Sequence, residues 1–413
     1  MFRTPTMKCL PSVAVVMVAA LLLFALPSPA HAANVAGVDW TTQVPPVENE
    51  WNSIAYGNGI FVAVGESRSG SSTDNIMTSS DGVTWTAQVS PLVVAWNGVT
   101  FGNGTFVAVG QSGKVMTSTD GISWILRTNP SSIYWISVAF GNNTFVAVTG
   151  QTANRVMTSP DGVTWTLQTA AVANFWTSVA YGANGFVAVA RSGTNDRAMT
   201  SPDGVTWASR TSAADNTWLS VTYGNGTYVA VSEDGASRVM TSPDGITWTP
   251  RSAAAALFWQ AVTFGGGQFV AVASGGAGNR VMTSPDGINW TSQASSTDNN
   301  WKAVAFGNGM FAAVSTYSTV GLVDSARVMI SGSMSNGGSG DDSQTPRPIL
   351  QQLPTNAEGT CSSIDDAHVA YGTGISGGWS RAWGEWANEH QGGWVCSRTL
   401  TYSNAQGQWL VAV

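Results

Sequence analysis

The chain has 413 residues, with 24 acidic and 17 basic side chains, a net charge of −7 and only 10% charged residues. An acidic chain so poor in charge lacks the basic footprint of a nucleic-acid binder and the polybasic runs that hold anionic lipid. Three cysteines, three histidines and no CxxC spacing give no metal-ligand set, so neither a metal nor a cofactor is expected.

Residues 1–32 read as a secretory signal peptide. Arg3 and Lys8 make a basic start, residues 13–26 are nearly all apolar, and Ala30-His31-Ala32 is a small-x-small cleavage site. The apolar run is short for a membrane span, and nothing later resembles one. Cys9 precedes the run, which argues against a lipoprotein anchor. Cleavage after Ala32 would take the net charge from −7 to −9 and leave two cysteines, Cys361 and Cys396. The mature chain is expected to be secreted or extracytoplasmic, and a monomer.

One unit then repeats seven times. Its opening tryptophan recurs at Trp51, Trp96, Trp135, Trp176, Trp218, Trp259 and Trp301, a period of about 40 residues. In the first copy, residues 51–56, 61–64, 76–79 and 83–88 are rich in β-branched and aromatic residues, and glycine-containing turns separate them. Four short strands per period near 40 predict an all-β, seven-bladed β-propeller over residues 33–331. A second tryptophan series marks the fourth segment, at Trp85, Trp124, Trp165, Trp207, Trp248 and Trp290. Its seventh member is Trp40, at the N-terminal end, where Val38-Asp39-Trp40 matches Val83-Thr84-Trp85. The last unit stops after its third strand at Ser331. The N-terminal strand is therefore expected to complete the last blade and leave no open edge.

Between the third and fourth segments stand Ser80-Asp81-Gly82, Thr119-Asp120-Gly121 and four copies of Ser-Pro-Asp-Gly, at Asp161, Asp203, Asp244 and Asp286. Together with the following tryptophan, these turns resemble the Asp-box, or BNR repeat, of sialidase-like propellers. The usual pattern has one more residue between Asp and Gly. The resemblance covers residues 38–331 and implies a structural turn, with calcium binding or catalysis as the alternative. It also raises the possibility of a sialidase-type glycoside hydrolase, which needs three convergent arginines, a Tyr–Glu pair and an acid Asp. No Arg-Ile-Pro start motif is present. Tyr56, Tyr181 and Tyr223 occupy a repeated framework position, and residues 33–331 contain no histidine. No catalytic residue is therefore assigned.

The Gly-Asn-Gly and Asp-Gly turns are nearly uniform from unit to unit. The second-to-third loops (66–75, 111–113, 190–196, 232–237 and 315–326) and the crossings between units (89–95, 128–134, 169–175, 211–217 and 252–258) differ. One face thus repeats and the other has diverged, either as a recognition surface or through relaxed constraint on solvent loops. Two candidate ligand sets fall on the diverged face. The seven opening tryptophans either rim the channel as an aromatic vestibule or wedge between blades. Arg155, Arg197, Arg238 and Arg280, with Arg327 and Lys114 at equivalent positions, either grip carboxylated ligands or form local salt bridges.

Residues 332–356 read as a flexible linker and 357–413 as a small α+β domain with five tryptophans. A helix is expected over 376–389, because Trp379, Trp383 and Trp386 fall on one stripe, and strands over 394–403 and 408–413. A Cys361–Cys396 disulfide would staple this thin core, a contribution of about 3–4 kcal/mol. The whole reads as an exported binding or interaction module for a glycan or a cell-surface protein. The alternatives are a sialidase-type hydrolase and an assembly factor for an exported complex.

Overall fold

The computed structural model describes residues 35–68, 70, 72–151, 155–276, 279–316 and 326–332, together with the backbone of four short strands beyond them. The signal peptide read over 1–32, the linker after Gly332 and the Cys361–Cys396 disulfide lie outside the described residues.

Seven four-stranded antiparallel sheets form the blades of a propeller. Blade 1 runs Glu50–Gly57, Ile60–Glu66, Ile76–Ser79, Thr86–Gln88, and five more blades follow the same order. The first strand of each blade is innermost and touches its counterparts in both neighbours, all the way round the ring. The last blade is made from both ends of this region. Trp40–Gln43 pairs with Val328–Ser331, with Trp40 opposite Ser331 and Gln43 opposite Val328. That register equals the pairing of Gln88 with Ile76 inside blade 1.

The packing explains the repeat. The described residues form seven buried clusters, each shared by two adjacent blades. One joins Trp51, Phe61 and Met77 of blade 1 to Met310, Val314 and Val328 of blade 7, and another joins Val62 and Ile76 to Trp96 and Phe106 of blade 2. Around the ring, a glycine at the end of each inner strand receives an aromatic ring from the next blade. A Cβ on Gly57 would lie 2.1 Å from Phe101, and one on Gly307 would lie 2.0 Å from Tyr56, closing the circle. Only glycine permits that approach.

The fourth strand begins later than the sequence pattern implied, at Thr86 rather than residue 83. Residues 83–85 belong to the turn. The Asp81 carboxylate accepts hydrogen bonds from the N–H groups of Val83 (2.8 Å) and Thr84 (2.7 Å) and from the Ser79 hydroxyl (2.9 Å). Gly82 takes φ +73°, and the Trp85 indole donates to its carbonyl at 2.8 Å. Five further blades repeat this arrangement at Asp120, Asp161, Asp203, Asp244 and Asp286. At the blade 7 closure the two ends of the propeller region assemble a similar turn without its carboxylate, Ala36 standing where blade 1 has Asp81. Gly37 N–H donates to the Ser331 hydroxyl at 2.7 Å, and the Trp40 indole donates to the Gly37 carbonyl at 3.0 Å.

Beyond residue 332, Trp379–Ala382 pairs with Val395–Arg398, and Ile375–Ser376 pairs with Thr401–Tyr402. The helix expected over 376–389 is corrected here, because its second turn is a strand. Gly377, Gly378 and Gly384 penalise a helix in this stretch, and tryptophan fits a pleated sheet.

Candidate functional site

The opening tryptophans are wedges, and the vestibule expectation is overturned. Trp51, Trp96, Trp135, Trp176, Trp218, Trp259 and Trp301 are all 0% exposed. Trp176, for example, is packed among Val146, Val148 and Val156 of the blade before it and Phe186 and Met199 of its own. Five of the seven indoles also donate to crossing loops, as Trp218 does to the Ala214 carbonyl at 3.0 Å. A flat ring filling the gap between converging blades explains the recurrence.

The recurrent arginines are latches. In each case the guanidinium donates to the main-chain carbonyl two residues before the next opening tryptophan. Arg155 reaches Asn174 at 3.0 Å, Arg197 reaches Asn216 at 2.7 Å, Arg238 reaches Leu257 at 2.7 Å and Arg280 reaches Asn299 at 2.8 Å. Arg327 crosses the closure to Asn49 at 2.7 Å, and Asn75 does the same work in blade 1 through Val94 at 2.8 Å. Asn49, Asn174, Asn216 and Asn299 in turn donate their amides to carbonyls of the following loops. The result is a belt of hydrogen bonds around the diverged face that ties the loop of every blade but the second to the next crossing. Arg197 and Arg280 also lie 3.7 and 3.8 Å from Asp215 and Asp298. These arginines hold loops in place and do not converge on one point.

A different set of residues does converge. In six blades the residue directly after the opening tryptophan is a bulge, skipped in the pairing with the second strand. In the remaining blade it is Ile136, just before the strand begins at Ser137. A bulge re-aims its side chain out of the sheet. Here the bulged residues sit on the innermost strands at their diverged end, and several of their side chains reach round the ring to a neighbouring blade. Asn52 donates to the Trp96 carbonyl at 3.1 Å, Asn97 to the Trp135 carbonyl at 2.8 Å and Thr177 to the Trp218 carbonyl at 2.7 Å. Lys302 donates to Gln260 Oε1 at 3.0 Å.

The full series is Asn52, Asn97, Ile136, Thr177, Leu219, Gln260 and Lys302, different in almost every blade. All are partly buried. The residues beside them at the mouth also differ, and several carry charge or a ring. Glu66 and Glu50 face each other across blade 1, Arg191 pairs with Phe175 in blade 4, and Glu233 pairs with Thr217 in blade 5. Tyr134 donates to Asn97 Oδ1 at 3.0 Å. Burial pushes its hydroxyl above the ordinary phenol range, and the nearby Glu66 charge adds to the effect. Sequence reasoning passed over this ring. The signal was there in residues 52, 97, 136, 177, 219, 260 and 302, which vary beside a tryptophan that never does.

The opposite face presents an exposed aliphatic residue after each Asp-Gly turn: Val83, Ile122, Val163, Val205, Ile246 and Ile288. Its chemistry is nearly the same in every blade, so it gives a partner little to distinguish. Among the described residues no group of His, Cys, Asp and Glu is placed to hold a metal ion, and no helix is long and apolar enough to cross a membrane.

Fold and mouth together define the class: an all-β, seven-bladed propeller with one repeating and one individualised face. Within that class, residues 48–177 match the family described as the DUF6242 beta propeller domain. Solved propellers match most of the chain at low identity. YCF48 bound to D1 peptide is 14% identical, covers 72% of this chain and 99% of its own, and superposes with a TM-score of 0.54. YCF48 from Cyanidioschyzon merolae is 14% identical, covers 71% and 98%, and scores 0.53. Virginiamycin B lyase from Staphylococcus aureus is 10% identical, covers 72% and 98%, and scores 0.57. At these identities the likeness is one of fold. Among curated proteins no sequence match is found.

Proposed function

We propose that this chain is an extracytoplasmic protein-binding module, a docking or assembly component, that engages its partner at the diverged mouth of the propeller channel. The observation that carries the reading is the ring of bulged residues after the opening tryptophans. The backbone repeats there while the side chains do not, which is how a rigid scaffold displays an individual surface. The signal peptide read over 1–32 supports an exported setting. The Ser-Asp-Gly-Trp turns are read as a shortened Asp-box, and that motif is architectural. The solved structure of YCF48 bound to D1 peptide supports propellers of this general shape as peptide binders.

A protein partner is preferred over a glycan because the indole faces that would stack on sugars are buried between blades. A sialidase-type hydrolase draws no support from arginines engaged with main-chain carbonyls. A lyase of the virginiamycin B type draws none either. A histidine substitution inactivates that enzyme, and residues 33–331 here contain no histidine.

The test is capture of partners from the native envelope with point variants on the two faces. Leu219→Arg at the mouth should weaken capture at least tenfold, about 1.4 kcal/mol. Ile246→Arg on the repeating face should leave it unchanged. The opposite pattern would refute the proposal.

A further inference from the structure

At one side of the mouth, four blades bring charge and hydrogen-bonding groups together. Lys302 comes from blade 7, Gln260 from blade 6, Glu233 from blade 5 and Arg191 from blade 4. The Lys302 ammonium donates to Gln260 Oε1 at 3.0 Å, and Gln260 Nε2 donates to Glu233 Oε2 at 3.4 Å. No carboxylate among the described residues forms an ion pair with Lys302. The Arg191 guanidinium lies over the Phe175 ring, 3.8 Å from its centroid. Stacking holds the guanidinium plane, and among the described residues nothing hydrogen-bonds its donors.

Two cations and one carboxylate leave one positive charge, with Lys302 and Glu233 partly buried and Arg191 exposed. Burial pushes the Lys302 ammonium below the usual lysine range, with Glu233 opposing the shift and Arg191 adding to it. Arg191 opens the loop of blade 4 at the position where Glu233 opens that of blade 5, each N–H bonded to the residue just before its blade's opening tryptophan, so the guanidinium follows Glu233 round the mouth. The direct partner of the partly buried Lys302 ammonium is a neutral amide, which leaves it able to take a further counter-charge.

We propose that this corner of the mouth seats a single carboxylate of an acidic peptide segment, held between the Arg191 guanidinium and the Lys302 ammonium. The inference rests on the reading of the mouth as the partner-binding surface. A planar guanidinium fork matches a carboxylate's two oxygens. One surplus positive charge balances one carboxylate. A phosphate, carrying about −1.5 to −2, would face Glu233 with charge left over. Glu50 and Glu66 of blade 1, the neighbour of blade 7, select against a run of acids and for one acidic residue among neutral ones. Asn52, Asn97 and Tyr134 offer amide and hydroxyl partners for peptide groups beside it.

The chain lends itself to a direct test, because Lys114 and Lys302 are its only lysines beyond residue 32. Carbon-13 dimethylation of the mature protein gives one lysine signal at the mouth and one reporter elsewhere. The probes are an end-blocked Gly-Gly-Glu-Gly-Gly peptide, its Gln counterpart, inorganic phosphate and glucuronate. The Glu peptide should shift the Lys302 signal saturably, raise its titration midpoint and leave Lys114 unmoved. The Gln peptide should do neither, and phosphate and glucuronate should bind at least tenfold more weakly. Arg191→Gln should weaken the peptide at least tenfold without changing Tm. An unmoved Lys302 signal, equal effects of the Glu and Gln peptides, or preference for phosphate or glucuronate would overturn the carboxylate assignment. The Leu219→Arg capture experiment separates the two failures. If it abolishes capture while Lys302 ignores the peptide, the mouth stands and the carboxylate falls. If it leaves capture intact, the mouth reading falls first.

Discussion

At the scale of single residues, recurrence and function separate. Asp120 recurs because one carboxylate satisfies several turn N–H groups at once. The N–H groups of Ser123 and Ile122 pull its pKa down to about 2, from 3.8. Because the folded value lies below the unfolded one, the stabilisation is present above pH 3.8 and is lost as pH falls through about 2. Five more aspartates are lowered in the same way. The protein should therefore lose Tm steeply between about pH 4 and pH 2, as thermal melts would show. Asp120→Asn keeps the acceptor but not the charge. It should cost about 1 kcal/mol at neutral pH, since the turn is exposed and screened, and should make the acid slope shallower. An unchanged acid slope would remove the aspartate turns as its cause. Recurrence at Trp51 and Arg280 has the same meaning, framework, and their conspicuous chemistry drew attention from Leu219 and Lys302 beside them. The difference between Asn52, Thr177 and Lys302 at one repeated position was readable. That a bulge aims them into the channel was not, because bulges leave no mark in a seven-residue strand.

At the scale of elements, the sequence pattern carried most of the architecture. Blade count and the role of Trp40 were legible because a closed propeller needs every strand position filled. The start of the fourth strand was not, since Val83 and Trp85 have strand-like side chains while Asp81 holds their backbone in a turn. The stretch at Trp379 misled for a related reason: three tryptophans at helical spacing outweighed the glycines around them. The closure yields a sharp prediction. Trp40 is 9% exposed and Trp85 is 7%, in equivalent settings of blades 7 and 1. Trp40→Ala should cost about 3–5 kcal/mol, as Trp85→Ala should, although Trp40 lies in a segment that looks disposable. Removal of residues 33–45 should expose the Val328–Ser331 edge and cause aggregation. A Trp40→Ala protein that melts like the parent would mean that the last blade closes without this strand.

At the scale of the whole molecule, seven near-identical blades make a stiff ring whose individuality is concentrated at one end of its axis. The latch belt, from Arg155 through Arg327 to Asn75, fixes the loops there, so a partner docking as proposed would meet a preformed surface and lose little ordering entropy. The direct measurement is site-specific photo-crosslinking in living host cells. A photoreactive residue is placed at position 219 or 302 in the mouth, and at 205 or 246 on the repeating face. The account predicts one discrete partner crosslinked from 219 and 302 and none from 205 and 246. Crosslinks from the repeating face, with the mouth silent, would contradict it.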